Sequence, residues 1–226
     1  MMILALDTTT FCGSVALLDN TRLISEINYD STYTHSERLL RSIHFLLEMN
    51  NLEIKNIDGY AVAQGPGSFT GIRIGLSTVK SFSYASSAPI APISSLKSLA
   101  WKLRHPEGRL LCPVIDAKKG EVYTALFESK EMGLDELIAQ GAYAPDSFFS
   151  RLPAHRLIFF IGNGVQVFKD KILAYFKDKA RFPFRSPFIA YEVGLLGYEE
   201  LRNKRGITSD ELEPLYFRKS QAEEKN

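Results

Sequence analysis

The stretch Gly65-Pro66-Gly67-Ser68-Phe69-Thr70-Gly71-Ile72-Arg73-Ile74-Gly75 stands where a strand gives way to a helix. Glycine lets the backbone approach a neighbour closely, and a helix N-terminus offers unbonded N–H groups with positive dipole character. Gly65, Pro66, Gly67, Ser68, Phe69 and Thr70 therefore make a loop that can take an anion or a partner's backbone. No Gly-Lys-Ser/Thr follows at phosphate-loop spacing, and Thr70 holds the place of the third glycine in a dinucleotide fingerprint. A tight turn that needs Gly-Pro-Gly for its shape alone accounts for the same residues. The turn Asp7-Thr8-Thr9-Thr10 sits between two strands and gathers a carboxylate and hydroxyls. Asp116-Ala117-Lys118-Lys119-Gly120 occupies the matching turn later in the chain. Two acidic turns, Asp7 and Asp116, suit a metal–nucleotide held across a cleft. A hydrogen-bonded polar turn is the plainer account of each.

Other chemistry finds little support. His35, His44, His105 and His155 form no H-x-x-x-H or H-E-x-x-H pair, and Cys12 and Cys112 are far apart, so no metal site is expected. His35 followed by Glu37 near a helix start reads as a capping arrangement. There is no Gly-x-Ser-x-Gly elbow.

The elements that must position these turns come in two similar series. Ile3 to Leu6, Gly13 to Leu18 and Leu23 to Tyr29 read as strands. A helix capped by Thr34 or Ser36 runs to about Asn50, a strand from Gly59 to Ala63, and a helix from Thr70 to Ala85. An extended piece covers Pro89 to Ile93, and a helix starts at Ser94 or Ser95. The polar break from Arg104 to Arg109 marks a boundary, giving lobes 1–108 and 109–226, with the C-terminal end free to return to the first lobe. The second series has strands at Leu110 to Asp116, Glu121 to Phe127, Ile138 to Tyr143 and Leu157 to Ile161. Its helices run from Pro145 to Ser150, Val165 to Lys177 and Pro187 to Asn203, and Gln221 to Asn226 reads as a frayed tail. The expected class is α/β, with two duplicated βββαβα halves of ribonuclease H-like type, as in the actin, sugar-kinase and heat-shock ATPase fold.

Hydrophobic residues make up 45% and charged residues 23% of 226, the mix of a globular protein. The net charge of +1 leaves little phosphate neutralisation, so RNA contact is expected only jointly with a partner. Met1-Met2-Ile3-Leu4-Ala5-Leu6-Asp7 is too short and uncharged for a signal peptide, and no run reaches the roughly 18 apolar residues of a span, so a cytoplasmic location is expected.

Together these pieces resemble the TsaB (YeaZ) family. The resemblance rests on Ile3-Leu4-Ala5-Leu6-Asp7-Thr8-Thr9, the glycine loop from Gln64 to Leu76, Lys80, Asp116-Ala117-Lys118-Lys119-Gly120-Glu121-Val122-Tyr123, Gly162-Asn163-Gly164 and Pro214-Leu215-Tyr216-Phe217-Arg218. It implies a non-catalytic subunit of the bacterial complex that makes threonylcarbamoyladenosine on tRNA. The partners would be TsaD and the ATPase TsaE, with a homodimer when the chain is alone. In the TsaD paralogue a helix carries two metal-binding histidines four residues apart. The resemblance places Ser95 and Leu99 there, so no catalytic residue and no cofactor beyond weak nucleotide binding is implied. An independent ATPase or phosphotransferase, and a metallopeptidase, are the alternatives. The resemblance also implies a four-helix contact with TsaD. Its residues would be Leu39, Ile43 and Leu46 on one helix and Gly71, Ile72, Arg73, Gly75, Leu76, Val79 and Phe82 on the next. Gly71, Gly75, Thr78 and Ala85 make a small-residue row that admits a facing helix.

Overall fold

A computed structural model describes residues 1–30 and 35–218. The Thr34 cap and the tail from Gln221 lie outside the described residues, as do the side chains of His35 and Ser36. The chain forms two compact units. One joins Met1–Ser95 to Phe188–Leu215; the other joins Leu96–Pro187 to the chain end from Tyr216.

The first unit is built on β1 (Met2–Asp7), β2 (Cys12–Asp19), β3 (Arg22–Asp30), β4 (Gly59–Gly65) and β5 (Ile90–Ser94), with α1 (His35–Met49) before β4 and α2 (Phe69–Ser86) after it. The sheet order is β3-β2-β1-β4-β5. β1 pairs antiparallel with β2 and parallel with β4. Its Ile3-Leu4-Ala5-Leu6 run is buried throughout, as a strand covered on both faces requires. The second unit takes α3 (Ser95–Trp101) from Leu96 onward. It adds β6 (Leu110–Asp116), β7 (Val122–Lys130), β8 (Gly133–Tyr143), α4 (Pro145–Phe149), β9 (Ile158–Ile161), α5 (Gly164–Phe176) and β10 (Ala180–Arg181). Its sheet order is β10-β9-β6-β7-β8. Numbered within their own halves, both sheets run third, second, first, fourth, fifth.

α6 (Ala190–Arg202) belongs to the first unit although it follows the second unit's strands. Glycines bring it onto the first sheet. A Cβ on Gly194 would lie 3.2 Å from the Ala5 Cβ, and one on Gly197 would strike Ala61. The Ala190 N–H donates to Ser14 Oγ at 3.0 Å. The division between units therefore falls at Ser95, ahead of the polar break at 104–109, and the return of the chain to the first unit begins at Phe188. The core of the second unit gathers Phe148, Phe149, Phe160 and Phe176 around β6 and β9.

Candidate functional site

The Asp7 turn and the glycine loop meet. Asp7, Thr8 and Thr9 are each 1% exposed. Asp7 Oδ1 accepts from the Thr9 N–H at 2.9 Å and from Thr9 Oγ1 at 2.7 Å. The Ser68 N–H donates to the Thr9 carbonyl at 2.6 Å, and Thr8 Oγ1 donates to the Gly71 carbonyl at 2.7 Å. Ser68 caps α2 by accepting from the Gly71 N–H. Glycine is required because a Cβ on Gly67 would strike the Thr9 carbonyl oxygen, one on Gly71 the Thr8 carbonyl oxygen, and one on Gly75 would sit 2.5 Å from Thr8 Oγ1. At the far end Gly65 holds φ +114 with the Leu215 carbonyl oxygen 2.7 Å from its would-be Cβ, and the Leu215 N–H donates to the Gln64 carbonyl at 2.9 Å. Burial raises the Cys12 thiol to about 11, with Asp30 and Asp7 adding to it. Burial likewise raises the Tyr29 phenol to about 12, with the Asp7 charge next in weight.

The second unit repeats this construction. Asp116 Oδ1 accepts from the Lys118 N–H at 2.8 Å, and Oδ2 receives Lys118 Nζ at 2.7 Å. Gly162-Asn163-Gly164 packs on the turn as the glycine loop packs on Asp7. A Cβ on Gly164 would lie 2.9 Å from the Asp116 nitrogen, and Asn163 Oδ1 accepts from the Asp116 N–H at 3.1 Å. Arg218 reaches Glu121 at 3.0 Å from beyond the end of β6–β7. In each unit a glycine turn following the fourth strand clamps the acidic turn of the first hairpin. Sequence reasoning named both partners of each pair and missed that they touch.

The expected partner surface is corrected by burial. Leu39, Ile43, Leu46, Ile72, Leu76 and Val79 are buried within the first unit. They are the faces of α1 and α2 turned to their own sheet, α1 against β2 and α2 against β4. Gly71 and Gly75 lie against Thr8, so their closeness serves the chain's own turn rather than a facing helix. Arg73 is exposed, with its guanidinium 3.8 Å over the Phe69 ring, and Phe82 is half-buried with its ring 6.1 Å from that of Tyr60. The apolar side chains that α1 and α2 do present outward are Leu40, Phe45 (54% exposed), Met49 and Tyr84 (84% exposed). On α1, Phe45 and Met49 share one side of the helix and Leu40 lies on another. Ser95 and Leu99 are both buried, and Ser95 Oγ finds no hydrogen-bond partner. Among the described residues no three His, Cys, Asp or Glu side chains stand together as a metal site would need, and no helix is long and apolar enough to cross a membrane.

Two units with the same strand order, each opening on a β-hairpin with an acidic turn, define a protein of the actin, sugar-kinase and heat-shock ATPase class. The sequence-family model described as TsaD, tRNA N6-adenosine threonylcarbamoyltransferase, matches residues 29–225. The TsaB protein of Bacillus subtilis, a tRNA threonylcarbamoyladenosine biosynthesis protein, is 33% identical over 173 residues, 76% of this chain and 75% of its own. The Haemophilus influenzae TsaB is 29% identical and spans 96% of this chain and 94% of its own. A Pseudomonas aeruginosa crystal structure, of a protein with similarity to peptidase YeaZ, superposes with a TM-score of 0.83 at 25% identity, covering 96% of this chain and 99% of that one. The chain belongs to the TsaB (YeaZ) family.

Proposed function

We propose that the chain is a non-catalytic subunit in the synthesis of threonylcarbamoyladenosine on tRNA, supporting a TsaD-class transferase. The relatives' names supply the pathway. The observation that carries the non-catalytic role is the use of both acidic turns. Asp7 is buried and bonded to its own turn, and Asp116 is held by Lys118, so each carboxylate is engaged within its own unit. An ATPase of this fold would need them open toward a metal–nucleotide. The alternatives of phosphotransferase and metallopeptidase receive no comparable support. The same reading includes TsaE and tRNA as members of the assembly, with tRNA met only within the complex, and a homodimer when TsaD is absent.

The exposed side chains Phe45 and Met49 of α1 and Tyr84 of α2 give this subunit a surface for TsaD. Aromatic side chains exposed on two neighbouring helices can serve as the anchors of a protein–protein contact. Phe45→Glu and Tyr84→Glu should each leave the circular dichroism of the chain unchanged and weaken co-elution with a TsaD-class transferase by at least about tenfold, as loss of a central aromatic anchor does. Purified alone, the chain should hydrolyse neither ATP nor peptide, and it should raise threonylcarbamoyl transfer when added to the transferase. Unaided ATP turnover lost on Asp7→Asn, or undiminished co-elution of both Glu variants, would count against this assignment.

A further inference from the structure

The edge of the second sheet carries a feature that the partner role does not use. Lys177, Lys179, Arg181 and Arg185 fall within nine residues that hold one acid, Asp178, in a chain of net charge +1. The positive charge is therefore local. Asp178 pairs with Lys179 at 3.3 Å. Arg181 Nη1 donates to the carbonyls of Asp178 and Ala180, at 2.6 and 3.0 Å, which fixes the guanidinium without neutralising it. Lys177 and Arg185 take part in no ion pair among the described residues.

The backbone here is built to hold its shape. β10 contributes two residues to the sheet and pairs parallel with β9, Arg181 opposite Phe159. Phe182 then anchors the chain, its ring 6.0 Å from that of Phe160 in the core, with Lys169 Nζ 5.6 Å from the centroid of the Phe182 ring. Pro183 and Pro187 fix their own φ and restrict the residues before them, Phe182 and Ser186. Between the prolines Phe184 is 100% exposed, bracketed by Arg181 and Arg185. The two cations flanking the bare phenyl ring make a poor seat for an apolar partner.

We infer that the strap 177–187 is a contact for single-stranded RNA, with Phe184 stacking on a base and Arg181, Arg185 and Lys177 meeting the phosphates. Charge complementarity selects the polyanion, and the exposed ring selects one whose bases are unpaired, because a duplex offers no free base face. The choice of RNA rests on the tRNA-modification reading above. The weak affinity expected from the net charge is consistent with a contact that adds to those of a partner rather than acting alone.

The test uses the full chain and two labelled RNAs of equal length, a hairpin with an open loop and a blunt duplex, titrated at low salt. The hairpin should bind detectably and more tightly than the duplex. Phe184→Ala should weaken the hairpin about tenfold and leave the duplex unchanged, while Phe184→Trp keeps the hairpin. Arg181→Ala with Arg185→Ala should weaken both RNAs and lower the slope of log affinity against log salt by about 1 to 2. The inference fails if the hairpin does not bind at about 100 μM chain, the range of ordinary non-specific affinity. It fails also if Phe184→Ala changes nothing, or if both RNAs are bound and lost alike, as on a surface for any polyanion. Co-elution of the same variants with the transferase is measured in parallel. A parent chain that co-elutes with the transferase while the strap variants leave RNA binding unchanged sinks the strap and spares the subunit role; a parent chain that fails to co-elute while Phe184→Ala weakens the hairpin sinks the role and spares the strap.

Discussion

At the scale of single residues, the glycine loop is explained by contact with its own chain. Gly67, Gly71 and Gly75 lie on one face because Thr8 and Thr9 lie opposite, and the threonine hydroxyl and carbonyls occupy the space that side chains would take. A bulky residue at the last of the three therefore meets the chain's own turn before it meets any partner. Gly75→Leu should not leave a folded chain that merely loses its partner. Its Cβ starts 2.5 Å from Thr8 Oγ1, and forcing extra carbons into a packed site costs about 1–3 kcal/mol or more. At roughly 2–4 °C per kcal/mol for a chain of this size, thermal unfolding should drop by at least about 2 °C. Gly133→Ala is the control, since no atom lies within 4 Å of its Cβ position, and it should stay within about 0.5 kcal/mol of the parent. Equal melting of Gly75→Leu and Gly133→Ala would show that the Thr8 turn yields freely and that the clamp is not tight.

At the scale of elements, most of the strands and helices were legible because their patterns are local. The continuous apolar run of β1, the capped start of α2 at Ser68, and the turns at Asp7 and Asp116 each follow from residues within a few positions. β10 escaped notice because two residues, Ala180 and Arg181, carry no period. β8 begins at Gly133, five residues before Ile138, because register shifts against β7 break its alternation. The faces of α1 and α2 were read outward when they point inward, since an amphipathic stripe does not say which side of the helix meets the sheet. Least legible was α6, whose place is set by residues some 130 to 190 positions earlier, Ala5, Leu18 and Ala61. That long-range placement carries a prediction of its own. A chain ending at Pro187 removes the helix that covers β1, β2 and β4 on one face, and with it Leu196 and Leu201 from the core. It should be recovered as aggregate, or as soluble material that binds a hydrophobic dye and lacks a cooperative melt. A soluble fragment with the parent's melting profile would mean that the first unit does not depend on α6.

At the scale of the whole molecule, both units bury weak acids that have no use for their charge, and this fixes how the protein should respond to alkali. Burial raises Cys112 from 9.0 to about 12 in the second unit, and raises Cys12 from 9.0 to about 11 and Tyr29 from 10.0 to about 12 in the first. A group whose folded pKa is raised contributes its full stability while the unfolded chain still keeps the proton, and loses it as pH climbs past the unfolded value toward the folded one. From about pH 9 upward the unfolded chain sheds protons that the folded chain retains, so the unfolded state gains and stability falls until about pH 11–12. Lys130, raised by its bond to Glu128, acts in the same direction, but that pair is solvent-exposed and weakened by salt. The contribution of a single thiol can be isolated by comparing the parent with Cys112→Ala in urea at moderate salt, between pH 8 and about pH 11. The parent's midpoint should fall steadily above about pH 9, because the unfolded state gains a thiolate that the folded core around Leu110 and Phe160 refuses. Cys112→Ala should start lower at pH 8, having lost packing, and should fall less over the same range. Parallel pH profiles for the two proteins would mean that the Cys112 thiol ionises as readily inside the second unit as in the unfolded chain, and that its burial carries no pH-dependent stability.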